Sequence, residues 1–181
     1  MADYVSYTWR IMPLITTFFC LHLYAAAADV NAVERTLAMV KPDGVSGSHV
    51  EAIKTLIRDA GFTIAAERYW HFSEAVAKEF YAEHSERGFF PNLVEFICSG
   101  PSLALILEKE HAIADWRLLI GPTDSSRARE EFPKSIRAKF GVDSQKNCVH
   151  GSDSRQAAIR EIALLFEQDQ TAKKSMQHDE L

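Results

Sequence analysis

Cysteine is scarce in this chain and carries no metal signature. Cys20, Cys98 and Cys148 stand far apart, with no Cys-x-x-Cys pair and no cysteine–histidine spacing of a zinc site, so no protein-held metal is expected. Asn-x-Ser/Thr triplets are absent, which excludes N-glycosylation. Basic residues are not in excess: 20 Lys and Arg face 25 Asp and Glu, a formal net charge of −5, which argues against a general nucleic-acid or anionic-membrane surface. Gly44-x-x-Gly47 lacks the Gly-Lys-Ser/Thr ending of a P-loop, so that phosphate cradle is excluded as well. No internal repeat or low-complexity segment occurs. What remains is an ordinary globular composition, 47% hydrophobic and 25% charged in 181 residues, with room for one substantial domain.

The two ends read as addresses. Arg10 precedes 18 uncharged residues, Ile11 to Ala28, closing on Ala26-x-Ala28: a basic flank, an apolar run and small residues at a cleavage site. The expectation is a signal peptide over residues 1–28, a mature chain from Asp29 and no stable membrane insertion after cleavage. The alternative is a signal anchor, since ~20 apolar residues span a bilayer. With Arg10 on the cytoplasmic side, either reading puts the rest of the chain in the lumen. His178-Asp179-Glu180-Leu181 ends the tail 167–181 and matches an endoplasmic-reticulum retention signal, so the expected location is the lumen of that compartment. An oxidising lumen would permit a Cys98–Cys148 bridge, but spacing alone leaves it open.

Between the ends the periodicity alternates. Thr36 to Val40 reads as a buried strand ending in a turn, Lys41-Pro42-Asp43-Gly44, and a helix is expected from Ser48 to Ala60, with Gly61 past its end. Phe62 to Phe72 alternates as a half-buried strand, and Ser73 caps a helix expected to run to His84. Pro91 to Cys98 follows as a helix, Ser102 to Glu108 as a strand, and Ile113, Trp116 and Ile120 as one helical face. Gly121 to Glu131 is polar and reads as a loop, with a short helix ahead of Gly141; a brief strand at Cys148–Val149 precedes a helix capped by Ser154 whose Ile159, Ile162, Leu165 and Phe166 are expected to face the core. Pattern alone supports an α/β or α+β domain and leaves the strand order open.

Single histidines are weak signals, and His49, His71, His84 and His111 are set aside as solvated or structural. The constellation is another matter. TLAMVKPDGV, YAEHSERGFFPNLV, Ser99-Gly100-Pro101 and NCVHGSDS followed by Glu161 resemble, in order and approximate spacing, the nucleoside diphosphate kinase family, over residues 34–166. The resemblance implies a ferredoxin-like α+β fold, a four-stranded antiparallel sheet covered by helices, with a helical hairpin between the second and third strands. It also implies a ping-pong transfer of the γ-phosphate of a nucleoside triphosphate to a nucleoside diphosphate. Histidine suits the relay because its neutral ring nitrogen is nucleophilic near pH 7 and a phosphoramidate gives its group away again. By motif, His150 is that nucleophile, and Glu161 and Ser152 orient its ring. Arg117, Thr123 and Arg137 match phosphate-contacting positions; Lys41, Tyr81 and Asn147 match positions near the sugar hydroxyls and γ-phosphate. Phe89 matches the aromatic under the base, and stacking reads a π-face with little base selectivity. Mg2+ is the implied cofactor, held mainly through the nucleotide phosphates.

The chain departs from the family pattern in three places. Thirteen residues separate Thr123 from Arg137, three more than the common form, in a loop that often makes subunit contacts in the family. A homo-oligomer is therefore an open expectation, as is a non-hexameric one. Ser144 stands where an apolar residue usually covers the second face of the base, and Gly88 replaces a frequent proline. These departures keep a second function open: a luminal nucleotide-binding or interaction protein with weak or no turnover.

Overall fold

The computed structural model describes residues 33–167. The expected leader, and the tail from residue 168 to the terminal His178–Leu181, lie outside the described residues. Four strands, β1 (Glu34–Val40), β2 (Thr63–Trp70), β3 (Ser102–Lys109) and β4 (Val149–Gly151), form one sheet in the order β2-β3-β1-β4. All three pairings are antiparallel, with Val40 opposite Leu103, Met39 opposite His150 and Trp70 opposite Ser102. This is the ferredoxin-like α+β fold.

β1 and β3 lie in the middle of the sheet and are buried on both faces, which is why each is a continuous apolar run and not an alternating one. Ala38, Val40, Leu103, Leu105 and Leu107 pack on one side against Ile53 and Ile57 of α2 (Val50–Asp59) and Trp116 and Ile120 of α5 (Ala112–Ile120). Leu37, Met39 and Ala104 face the other side, against Ala77 and Phe80 of α3 (Glu74–Phe80) and Val94 and Ile97 of α4 (Phe90–Cys98). β2 is an edge strand whose burial alternates residue by residue, as its period-two sequence requires. Gly61 adopts φ +80 just past α2, a left-handed exit that favours glycine.

Four local expectations are corrected. The turn at Lys41–Gly44 is the start of a helix, α1 (Pro42–Ser46), because Pro42 at its first position brings a preset φ. The polar stretch Gly121–Glu131 contains α6 (Ser125–Glu131), capped by Asp124 accepting from the Ser126 N–H at 2.8 Å and braced by an Arg127–Glu131 pair at 2.9 Å. Only Ser125 and Ala128 of that helix are buried, so it shows no apolar stripe. The helix after Ser73 stops at Phe80 and continues as a 3₁₀ turn, Ala82–His84. Finally, Ile159 is 63% exposed. α8 (Arg155–Ile162) turns Ala157, Ala158 and Glu161 inward, and the π-helical turn Ala163–Glu167 then brings in Leu164 and Leu165. The short helix expected ahead of Gly141 is α7 (Ile136–Phe140). Cys98 and Cys148 are free thiols. Among the described residues no helix is long and apolar enough to cross a membrane.

Candidate active site

β4 is short, but its pairing to β1 fixes His150 opposite Met39. The His150 carbonyl accepts from the Trp116 indole N–H at 3.1 Å, which ties the strand to α5. The ring stands edge-on to Phe80, centroids 5.1 Å apart, and perpendicular to Tyr81 at 6.2 Å. Its Nε2 lies 3.0 Å from Glu161 Oε2. A carboxylate only accepts, so Nε2 carries the proton and Nδ1 keeps its lone pair; Nδ1 makes no hydrogen bond among the described residues.

Glu161 is 2% exposed and comes from the inward face of α8. Ser152 is fully buried beneath it and donates to the same Oε2 at 2.7 Å, while its Oγ accepts from the Leu37 N–H at 3.2 Å. The ring orientation is thus anchored through two side chains to the central strand, which holds the imidazole in one pose.

In front of the ring lies a cavity of about 540 Å³. It gathers nine of the ten expected site residues, Lys41, Tyr81, Phe89, Arg117, Thr123, Arg137, Asn147, His150 and Glu161; Ser152 sits behind the wall. Arg137, from α7, donates to the Gly121 carbonyl at 2.8 Å and the Val149 carbonyl at 3.1 Å. Burial, and then the neighbouring Arg117, lower its pKa to about 10, which leaves it charged at neutral pH. Lys41 stands at the N-cap position of α1, and its ammonium donates to the Gln145 carbonyl. Burial brings its pKa down to about 8, against the opposing pull of Asp43. The Tyr81 phenol is buried, and desolvation, followed by the charge of Glu161, raises its pKa, so it stays protonated as a donor.

Asn147 is held by its Nδ2 to the carbonyls of Thr123 at 2.9 Å and Ser144 at 3.0 Å. Its Oδ1 and the Arg137 Nε are buried without partners. Lys41, Arg117 and Arg137 all line this cavity, so an anionic ligand fits this wall. Phe89, at the N-cap of α4 and 51% exposed, stands at the mouth. Cations inside and an exposed ring outside make a slot for a molecule that is anionic at one end and flat at the other.

His84, set aside in the sequence, lines this cavity with Glu83, Leu93, Ser144, Gln145 and Asp153. Its ring lies nearly parallel to Tyr81, centroids 6.3 Å apart. The available signal was the spacing: Tyr81 and His84 are three apart where the chain tightens into a 3₁₀ turn, which stacks i and i+3. Gln145 carried no comparable signal. Glu83 and Asp153 place two carboxylates on the wall, and no group of three or more His, Cys, Asp or Glu converges among the described residues. That donor set would leave a divalent cation to be held mainly by phosphate oxygens of a ligand, with Glu83 and Asp153 the carboxylates available to it.

Residues 34–171 match the family described as nucleoside diphosphate kinase. A probable nucleoside diphosphate kinase 5 of Arabidopsis thaliana is 51% identical over 144 residues, 79% of this chain and all of that protein. A nucleoside diphosphate kinase of Pasteurella multocida is 47% identical, over 75% of this chain and 95% of its own. Among solved structures, the Aquifex aeolicus nucleoside diphosphate kinase superposes with a TM-score of 0.71 at 48% identity, covering 76% of this chain and 97% of that one. A halophilic nucleoside diphosphate kinase from Halobacterium salinarum, in complex with CDP, does so with 0.71 at 39%, covering 76% and 90%.

Proposed function

Because this chain belongs to the nucleoside diphosphate kinase family, we propose that it moves the γ-phosphate of a nucleoside triphosphate to a nucleoside diphosphate in two steps, through a phosphohistidine at His150. It is a phosphotransferase of the nucleoside diphosphate kinase type. The observation that carries the two-step reading is the His150–Glu161–Ser152 arrangement, with Nε2 bound to carboxylate and the imidazole lining the cavity.

In the first step the Nδ1 lone pair attacks the γ-phosphorus. The N–P bond forms, the bond to the bridging oxygen breaks, and the diphosphate leaves with that electron pair. The ring gains positive charge as this happens, and the Glu161 carboxylate at its Nε2–H stabilises it without a full proton transfer. Arg117, Arg137 and Lys41 face the charge on the migrating group, which is the main requirement of phosphoryl transfer. The Tyr81 phenol offers a donor to the sugar and phosphate, Asn147 fixes the loop beside them through its two Nδ2 bonds, and the base lies on Phe89. In the second step a terminal oxygen of another diphosphate attacks the same phosphorus, the N–P bond breaks, and Nδ1 regains its lone pair. Mg2+, entering with the nucleotide, neutralises phosphate charge when bound.

The test is to incubate the purified chain with Mg2+ and ATP labelled at the γ-phosphate, beside His150→Ala. An acid-labile label on the parent that chases onto added diphosphate, and is absent from the variant, is expected. A folded parent that stays unlabelled would overturn the reading and favour the nucleotide-binding alternative.

On the segment Ile11–Ala28 and the terminal His178–Leu181, we also propose that the enzyme works in the endoplasmic-reticulum lumen, where diphosphates released by sugar-nucleotide chemistry are candidate acceptors. Protease protection in sealed microsomes is the expected result, and a cytosolic, protease-sensitive protein would refute it.

A further inference from the structure

Gln145 lies at the cavity mouth, in the turn between Gly141 and Asn147, and its polar groups reach two different walls. Its backbone carbonyl accepts from the Lys41 ammonium. Its side-chain amide donates to the Asn92 carbonyl at 2.8 Å. Asn92 is in the first turn of α4, three residues after Phe89, so this bond joins the wall that carries Phe89 to the wall that carries Ser144.

The turn is internally tied. Asp143 Oδ1 accepts from the N–H groups of both Gln145 and Lys146 at 2.7 Å, and the Val142 N–H bonds the Lys146 carbonyl at 2.7 Å. Asn147 adds its bond to the Ser144 carbonyl at 3.0 Å. A turn held this way moves as a body, and a bond that anchors one residue of it to α4 positions the others.

We propose that Gln145 is a positioning residue that latches the turn 142–146 to α4 and so sets the slot between Phe89 and Ser144. The proposal rests on the phosphotransfer reading and deepens it. A solvated amide–carbonyl bond contributes little to global stability, whereas a small displacement of a substrate-positioning wall weakens binding and orientation strongly. The latch therefore predicts a large effect on nucleotide parameters with a small one on folding.

The experiment compares the full chain with Gln145→Ala, which removes the donor, and Gln145→Lys, whose ammonium reaches the same carbonyl. Affinity for ADP is read by calorimetry, and kcat and KM for UDP with ATP as donor. The alanine variant is expected to raise Kd and KM about 10-fold, with kcat within about threefold and an almost unchanged Tm, and the lysine variant to return both to within about threefold of the parent. Alanine values within twofold of the parent, or a lysine variant as weak as alanine, would overturn the latch. Should the alanine variant fail to fold, Gln145→Glu, of equal size with an oxygen facing the Asn92 carbonyl, carries the same expectation. If the parent shows no label at His150, the phosphotransfer reading falls, and the ADP affinities still decide the latch.

Discussion

Replacing Lys41 by Met removes a charge that the folded chain holds at a cost. Lys41 is 4% exposed, and burial moves its pKa from 10.5 to about 8. At ~1.4 kcal/mol per pH unit, the charged ammonium at pH 7 costs the folded state about 3 kcal/mol relative to the unfolded one. Methionine of similar length avoids that cost but leaves the Gln145 carbonyl without its partner, a loss of about 1 kcal/mol. The net expectation is a stabilisation of about 2 kcal/mol at pH 7, or about 6 °C in Tm for a domain of this size. The sign of the pH dependence is set by the depressed pKa. Between pH 8 and 10.5 the unfolded chain binds the proton that the folded one has released, so this group's penalty is fully present below pH 8 and is relieved as pH rises toward 10.5. Urea denaturation of parent and variant at pH 7 and pH 9.5 measures it: the variant's advantage should shrink at the higher pH. Phosphotransfer by the same variant should fall at least ~100-fold, since a buried cation facing the migrating group is lost. A variant less stable than the parent at pH 7, or a stability difference that does not move with pH, would refute the argument.

Glu161→Gln presents its amide or its oxygen to His150 Nε2 and Ser152 Oγ, which now share one carboxylate oxygen; the rate of His150 phosphorylation in single-turnover labelling should drop about 10–100-fold. Phe89→Ala, at an exposed position, should leave Tm nearly unchanged and weaken binding of purine and pyrimidine diphosphates alike, by ~1–3 kcal/mol in calorimetry. Gly151→Ala would set a Cβ 2.5 Å from the indole of the fully buried Trp116; a loss of about 2 kcal/mol or more in denaturation is expected, with slower phosphorylation because the same indole holds the His150 carbonyl.

Much of this molecule is local enough to be written in the chain. The runs at Thr36–Val40 and Leu103–Leu107 are apolar on both parities, and such segments lower their free energy only at the centre of a sheet covered on both faces. Ser73 and Ser154 announce the helices they cap, and each accepts the N–H three residues on. The His-Gly-Ser-Asp run with Glu161 pointed to the site through its resemblance to the nucleoside diphosphate kinase motif, and the fold brings His150 Nε2 to 3.0 Å from the Glu161 carboxylate. Where sequence reasoning failed, apolar character along the chain was the wrong guide: α6 is stabilised by a cap and an ion pair and leaves no apolar stripe, and α8 turns Ala157, Ala158 and Glu161 inward, which leaves Ile159 in solvent. Tertiary structure alone decided the strand order, the cavity and the pairing of Lys41 with Gln145, which are 104 residues apart. It decided as well that His84 stands in the site and that Lys41 is desolvated. Contacts of that range arise when the sheet closes and excludes water, and no pattern along the chain records which side chains will then share the space.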